Sequence, residues 1–136
     1  MKKILCISIF SLFLIAALAS SSLAANSTSI SSDGSKVSII LDGSTDWNGA
    51  TDGQMPRGRG LIAIKFFPSA ANDVLVVRDG SATGPEIFHG KDVPGGGLAD
   101  GTFGGLVSYP YIHASDCTLG TPANARVIMI FSPIPR

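Results

Sequence analysis

The sequence predicts an all-β fold: a single-domain antiparallel β-sandwich or jelly roll of about seven short strands, preceded by a signal peptide. Three observations predict it. Short runs rich in Val, Ile, Leu and Phe are separated by clusters of Gly, Pro, Asn and Asp. No stretch beyond residue 25 sustains a helical apolar period. The 16 glycines and 8 prolines favour strands and turns over helices.

Residues 1–24 read as the signal peptide. Lys2 and Lys3 give a positive start, Ile4 to Ala19 form an apolar run broken by Ser8 and Ser11, and small residues follow. Ala17-Leu18-Ala19 and Ser22-Leu23-Ala24 are the two cleavage candidates, the second leaving Ala25 as the new terminus. The apolar run is 16 residues, short of the about 20 that a spanning helix needs. No Lys or Arg follows until Lys36, so a stop-transfer flank is missing, and Cys6 lies before the run's end, where lipoprotein attachment does not use it. The expectation is export to the periplasm, cell surface or medium, with no membrane segment after cleavage.

Residues 25–35, rich in Ser, Thr and Asn, are expected to form a flexible mature N-terminus. The sandwich domain is placed at 36–136. Lys36 to Leu41 sets Val37, Ile39 and Leu41 on one face of a strand. Leu61 to Phe67 sets Ile62, Ile64 and Phe66 together, and Asp73 to Asp79 carries the run Val74 to Val77. Pro85 to His89, Thr102 to Ser108 and Tyr109 to Ala114 are three further strands. Ala125 to Ser132 is apolar on both faces and is expected in the centre of a sheet. Pro94 to Gly97 and Gly104-Gly105 bracket what reads as a surface loop, since no helix or Gly-Lys-Ser/Thr follows to make a phosphate cradle.

Charge and cysteine content exclude several classes. The whole chain has ten basic and ten acidic residues, and losing Lys2 and Lys3 leaves a formal charge of −2. No nucleic-acid partner is expected, because phosphate binding needs clustered Lys and Arg. The one basic cluster, Arg57-Gly58-Arg59, reads as a solvated loop tip. Losing Cys6 leaves Cys117 as a lone free thiol, with no internal disulfide, and a buried, inert role is favoured over an intermolecular or reactive one.

Two sets of residues invite a site. Asp42, Asp46, Asn48 and Asp52 could offer oxygens to Ca²⁺, although the helical EF-hand spacing is missing and the segment equally reads as a turn. Trp47, Asn48, Tyr109 and Tyr111 could stack on and hydrogen-bond a carbohydrate, or Trp47 could plug the core. His113, Asp116 and Cys117 suggest a nucleophile, but in an extended chain His113 and Cys117 stand roughly 13 Å apart. With one Glu, Glu86, and no Gly-x-Ser-x-Gly elbow, a small hydrolase is the least supported reading.

The stretch Phe67-Pro68-Ser69-Ala70-Ala71-Asn72-Asp73 to Pro85, with Pro110-Tyr111-Ile112 and Ser115 to Ile128, resembles small β-domain proteins of phage-like and environmental bacterial gene sets. The resemblance spans residues 60–132 or so. It implies a structural or assembly role, including a virion-associated one, and carries no functional residue with it.

The expected function is therefore that of an exported, non-enzymatic structural, assembly or binding module. Its partner would be another copy of itself or another surface or virion protein. The loops Asp42 to Gly60 and Asp92 to Gly105 are its expected working parts. A carbohydrate- or Ca²⁺-dependent binding domain is the alternative.

Overall fold

The computed structural model describes residues 25–91, 99–120 and 124–133. The expected signal peptide, 1–24, and the Asp92 to Leu98 part of the second expected loop lie outside them. Within the described residues the chain is all-β, with strands β1 (Ser27–Ile30), β2 (Lys36–Ile40), β3 (Trp47–Asn48), β4 (Arg59–Phe67), β5 (Val74–Asp79), β6 (Glu86–Lys91), β7 (Ala99–Val107), β8 (Pro110–Ile112) and β9 (Arg126–Phe131). They form a five-stranded sheet in the order β1-β2-β9-β4-β7 and a four-stranded sheet in the order β3-β8-β5-β6. Every strand pairing is antiparallel. The pairing is nested: β2 with β9, β3 with β8, β4 with β7, β5 with β6.

Alternation explains the core. Val37 and Ile39 on β2 stand opposite Met129 and Val127 on β9, and all four are fully buried. Leu75, Val77, Phe88 and Ile112 from the other sheet join them in one apolar cluster, with Trp47 at one end. β9 lies between β2 and β4, as its two apolar faces predict.

Four expectations are corrected. The segment 25–35 is not loose throughout: Ser27–Ile30 is an edge strand on β2, closed by a turn that Asp33 organises. The Asp33 carboxylate accepts from Ser31 Oγ, the Ser35 amide and Ser35 Oγ at 2.6, 3.0 and 2.7 Å. These donations, the Ser31 hydroxyl foremost, hold it well below the ordinary carboxylate range.

Ile62 does not share a face with Ile64 and Phe66. A bulge between Leu61 and Ala63 inserts one residue against β9, so Leu61 and Ile64 both point inward and Ile62 is 44% exposed. The expected strand at Thr102 starts earlier, at Ala99, so residues 99–101 are not loop but part of β7, paired with β4 through Lys65↔Asp100 and Ile64↔Gly101. A sheet edge tolerates the glycines of β7.

Arg59 is not on a solvated tip. It opens β4, is 8% exposed, and donates from Nη1 to the Gly34 carbonyl and from Nη2 to the Ser132 carbonyl at 2.6 Å. Its guanidinium lies over the Phe131 ring, 5.2 Å from the centroid.

Candidate functional site

The polar residues singled out by the sequence gather where the β2–β3 connection meets β8. Trp47 pairs with Ile112 and Asn48 with Tyr111, which sets Asp46 beside the end of β8. The Asp46 carboxylate accepts from Tyr111 Oη at 2.8 Å and from the Ala114 amide at 2.8 Å. The Nδ1 atom of His113 lies 2.9 Å from both of its oxygens. Burial works to raise the Asp46 pKa, but the Ala114, Tyr111 and His113 donations outweigh it and hold the group below its ordinary value. The same contact, with burial adding to it, holds the Tyr111 hydroxyl above the ordinary phenol value.

An imidazole oriented by a carboxylate is half of a nucleophilic set. The nearest thiol in sequence does not complete it. After β8 the chain leaves the sheet as a 3-10 turn, Ala114–Asp116, and returns at Thr118 to bridge Val74 on β5. Across this gap the Cys117 side chain stands in for the missing main-chain partner of Val76. Its Sγ accepts the Val76 amide at 3.5 Å and its S–H donates to the Val76 carbonyl at 3.8 Å. Asp116 holds the excursion from outside by an ion pair to Arg78 at 2.7 Å. Asp46 and Asp116 thus pin a detour of the strand.

Cys117 packs against the core, and burial pushes its thiol above the ordinary cysteine value, Val76 opposing in part. Alkylation by iodoacetamide is therefore expected to be slower than for a free cysteine at pH 8, and to accelerate only as pH rises further. Reaction as fast as that of glutathione would contradict this placement.

The proposed Ca²⁺ ligands do not converge. Asp42 accepts from the Ser44 and Thr45 amides and from Thr45 Oγ1, at 2.8, 2.8 and 2.6 Å. Asn48 accepts from the Ala50 amide and Asp52 from the Asn48 amide. Each closes its own turn, and among the described residues no group of three or more acidic, His or Cys side chains is arranged to hold a metal.

Nor do the stacking residues form a platform. Trp47 is fully buried and its Nε1–H donates to Thr28 Oγ1 at 2.8 Å, so it shows no ring face to a ligand. Tyr109 is half-buried, and its main chain is held by Asp79 and Gly80.

Asp73, which the sequence reading passed over, and Arg59, which it placed on a solvated tip, carry more structure than the residues it chose. Asp73, 1% exposed, accepts from the Ser69 amide and hydroxyl, the Ala70 amide and the Gly120 amide. An Asp a few residues after a Ser within a Pro-Ser-Ala-Ala-Asn-Asp turn was the available signal. Arg59 has no such local signal. No model of a known protein family matches the chain, and no curated protein matches it.

Proposed function

We propose that this chain is an exported, non-enzymatic jelly-roll module with a structural or assembly role, working by association between its own copies. The nested strand pairing supports the jelly-roll reading, because rolling one long antiparallel ribbon into two facing sheets produces that order. The charged, apolar and small-residue pattern of 1–24 supports export.

One observation carries the association reading: the outer face of the five-stranded sheet groups four isoleucines and a leucine. Ile128 and Ile130 alternate with the buried residues of β9 and are half-buried. Ile40 on β2 is 46% exposed, Ile62 protrudes at the β4 bulge, and Leu106 on β7 is 76% exposed. Apolar side chains grouped on one face mark contact surfaces.

Charge favours a second copy as the occupant. Lys36, Lys65 and Arg126 stand on this face opposite Ile130, Ile128 and Ile40, with Asp100 paired to Lys65 at 3.4 Å and Arg126 lying 4.5 Å from the Phe67 ring centroid. Setting these four charged groups apart leaves nine acids and five bases in residues 25–136. A cationic apolar face on an otherwise acidic chain suits a head-to-tail contact, which builds open chains rather than closed dimers.

Size sets the strength. Five strands spaced about 4.8 Å apart and about 20 Å long present on the order of 500 Å². Stable interfaces bury about 800 Å² per partner. A single contact of this size falls in the class of weak, transient interfaces. Ile62→Asp and Leu106→Asp, both at exposed positions, are expected to leave the melting temperature nearly unchanged and to abolish association in analytical ultracentrifugation. Association unaffected by both would overturn this choice of face.

A further inference from the structure

We infer that the cavity between the β1–β2 turn and residues 53–56 binds a small organic monocarboxylate, with Arg59 as its charge partner. The cavity has a volume of about 340 Å³, at the lower end of the about 300–1,000 Å³ typical of ligand pockets. Ile30, Val37 and Met55 give it apolar walls, and Arg59 lines it. A guanidinium carries five N–H donors. Among the described residues two are spent, on the Gly34 and Ser132 carbonyls, and no described carboxylate forms an ion pair with Arg59.

A cation that is 8% exposed and has no carboxylate within ion-pair distance among the described residues is costly to the fold. A carboxylate entering the cavity would supply that counter-ion and match the planar fork. Gln54, also in the lining, has φ +46, a left-handed conformation uncommon outside glycine, and such strain concentrates at binding sites. A further lining residue, Asp33, decides the ligand class. It lines the cavity, and its carboxylate is kept ionised by the Ser31 and Ser35 donations. A multiply charged anion would be repelled, whereas a monocarboxylate with an apolar body uses Arg59 and the apolar walls together.

The test is a ¹H–¹⁵N titration of the chain from residue 25 with sodium benzoate, following the Arg59 Nε–H and the amides of 30–34 and 53–56. Benzamide serves as the uncharged counterpart, and inorganic phosphate as the other anion. Benzoate is expected to shift these signals saturably in the millimolar range. Benzamide should leave them in place, and phosphate should bind about tenfold more weakly or less. Arg59→Lys, which keeps charge but loses the fork, should weaken benzoate about tenfold; should that variant fail to fold, the wild-type titration still decides. No saturable shift with benzoate, an equal response to benzamide, or tighter binding of phosphate would overturn the inference.

Discussion

Replacing Trp47 by alanine is expected to destabilise the chain by about 3–5 kcal/mol, and so to lower its melting temperature by about 15 °C or more. The side chain is wholly buried among residues of both sheets. Removing it opens a cavity that β3, only two residues long, has little means to close. It would also leave Thr28 Oγ1 without its indole donor, loosening the one side-chain link from β1 to β3. Close packing limits relaxation further, since a Cβ added at Gly53 would meet the indole Cζ2 at 3.0 Å. A domain of this size is stable by only about 5–15 kcal/mol, so the substitution removes a large share of the total. Trp47→Phe should cost about 1–2 kcal/mol, combining lost volume and the lost hydrogen bond. Chemical denaturation measures both. In the wild type the indole emission should be blue-shifted and resist iodide, and a red-shifted, freely quenched indole would contradict this placement.

The second large effect is at Asp73. Asp73→Ala is expected to cost about 2–4 kcal/mol, because it removes the one carboxylate that accepts from the β4–β5 turn amides and from Gly120 together, and so unties the turn from that segment. The pH dependence has a definite sign. Burial alone would raise this carboxyl's pKa, but the Ala70, Gly120 and Ser69 donations outweigh it and depress the folded-state value. A depressed pKa gives stability that is fully present above the unfolded value of about 4 and is lost as pH falls through the folded value. Asp73→Asn should therefore be less stable at pH 7 and show a shallower loss of stability in acid than the wild type. Denaturation midpoints at pH 7 and across the range below pH 4 measure this. Parallel acid profiles for the two proteins would show that Asp73 is not the linkage site.

Much of the sheet structure was legible because the core strands obey alternation over four or more residues. Val37, Ile39 and Leu41 announce an inward face and are buried, while the apolar runs Val74 to Val77 and Val127 to Phe131 announce strands without choosing a face. The bulge in β4 was not legible. Leu61 to Phe66 is apolar in both phases except for Lys65, so the pattern fits an inserted residue as well as an even ladder. β1 was hidden because Ser-Thr-Ser-Ile buries almost nothing and is held by main-chain pairing and Thr28. The candidate site failed for a different reason. Asp42, Asn48 and Asp52 look like ligands because the oxygens that bind metals also close turns, and here they close turns. Asp46 meets His113 from 67 positions away, and Arg59 meets Ser132 from 73 away. Only the sheet topology brings such pairs together.

The association of copies through the outer sheet face is tested most directly by sedimentation velocity on the chain from residue 25, run from micromolar to millimolar concentration at low and high salt. If copies associate through this face, the weight-average sedimentation coefficient is expected to keep rising with concentration, without a plateau at the dimer, and to rise less at high salt, where attraction between the cationic face and the acidic remainder is screened. A single monomer boundary at every concentration and both salts would contradict it.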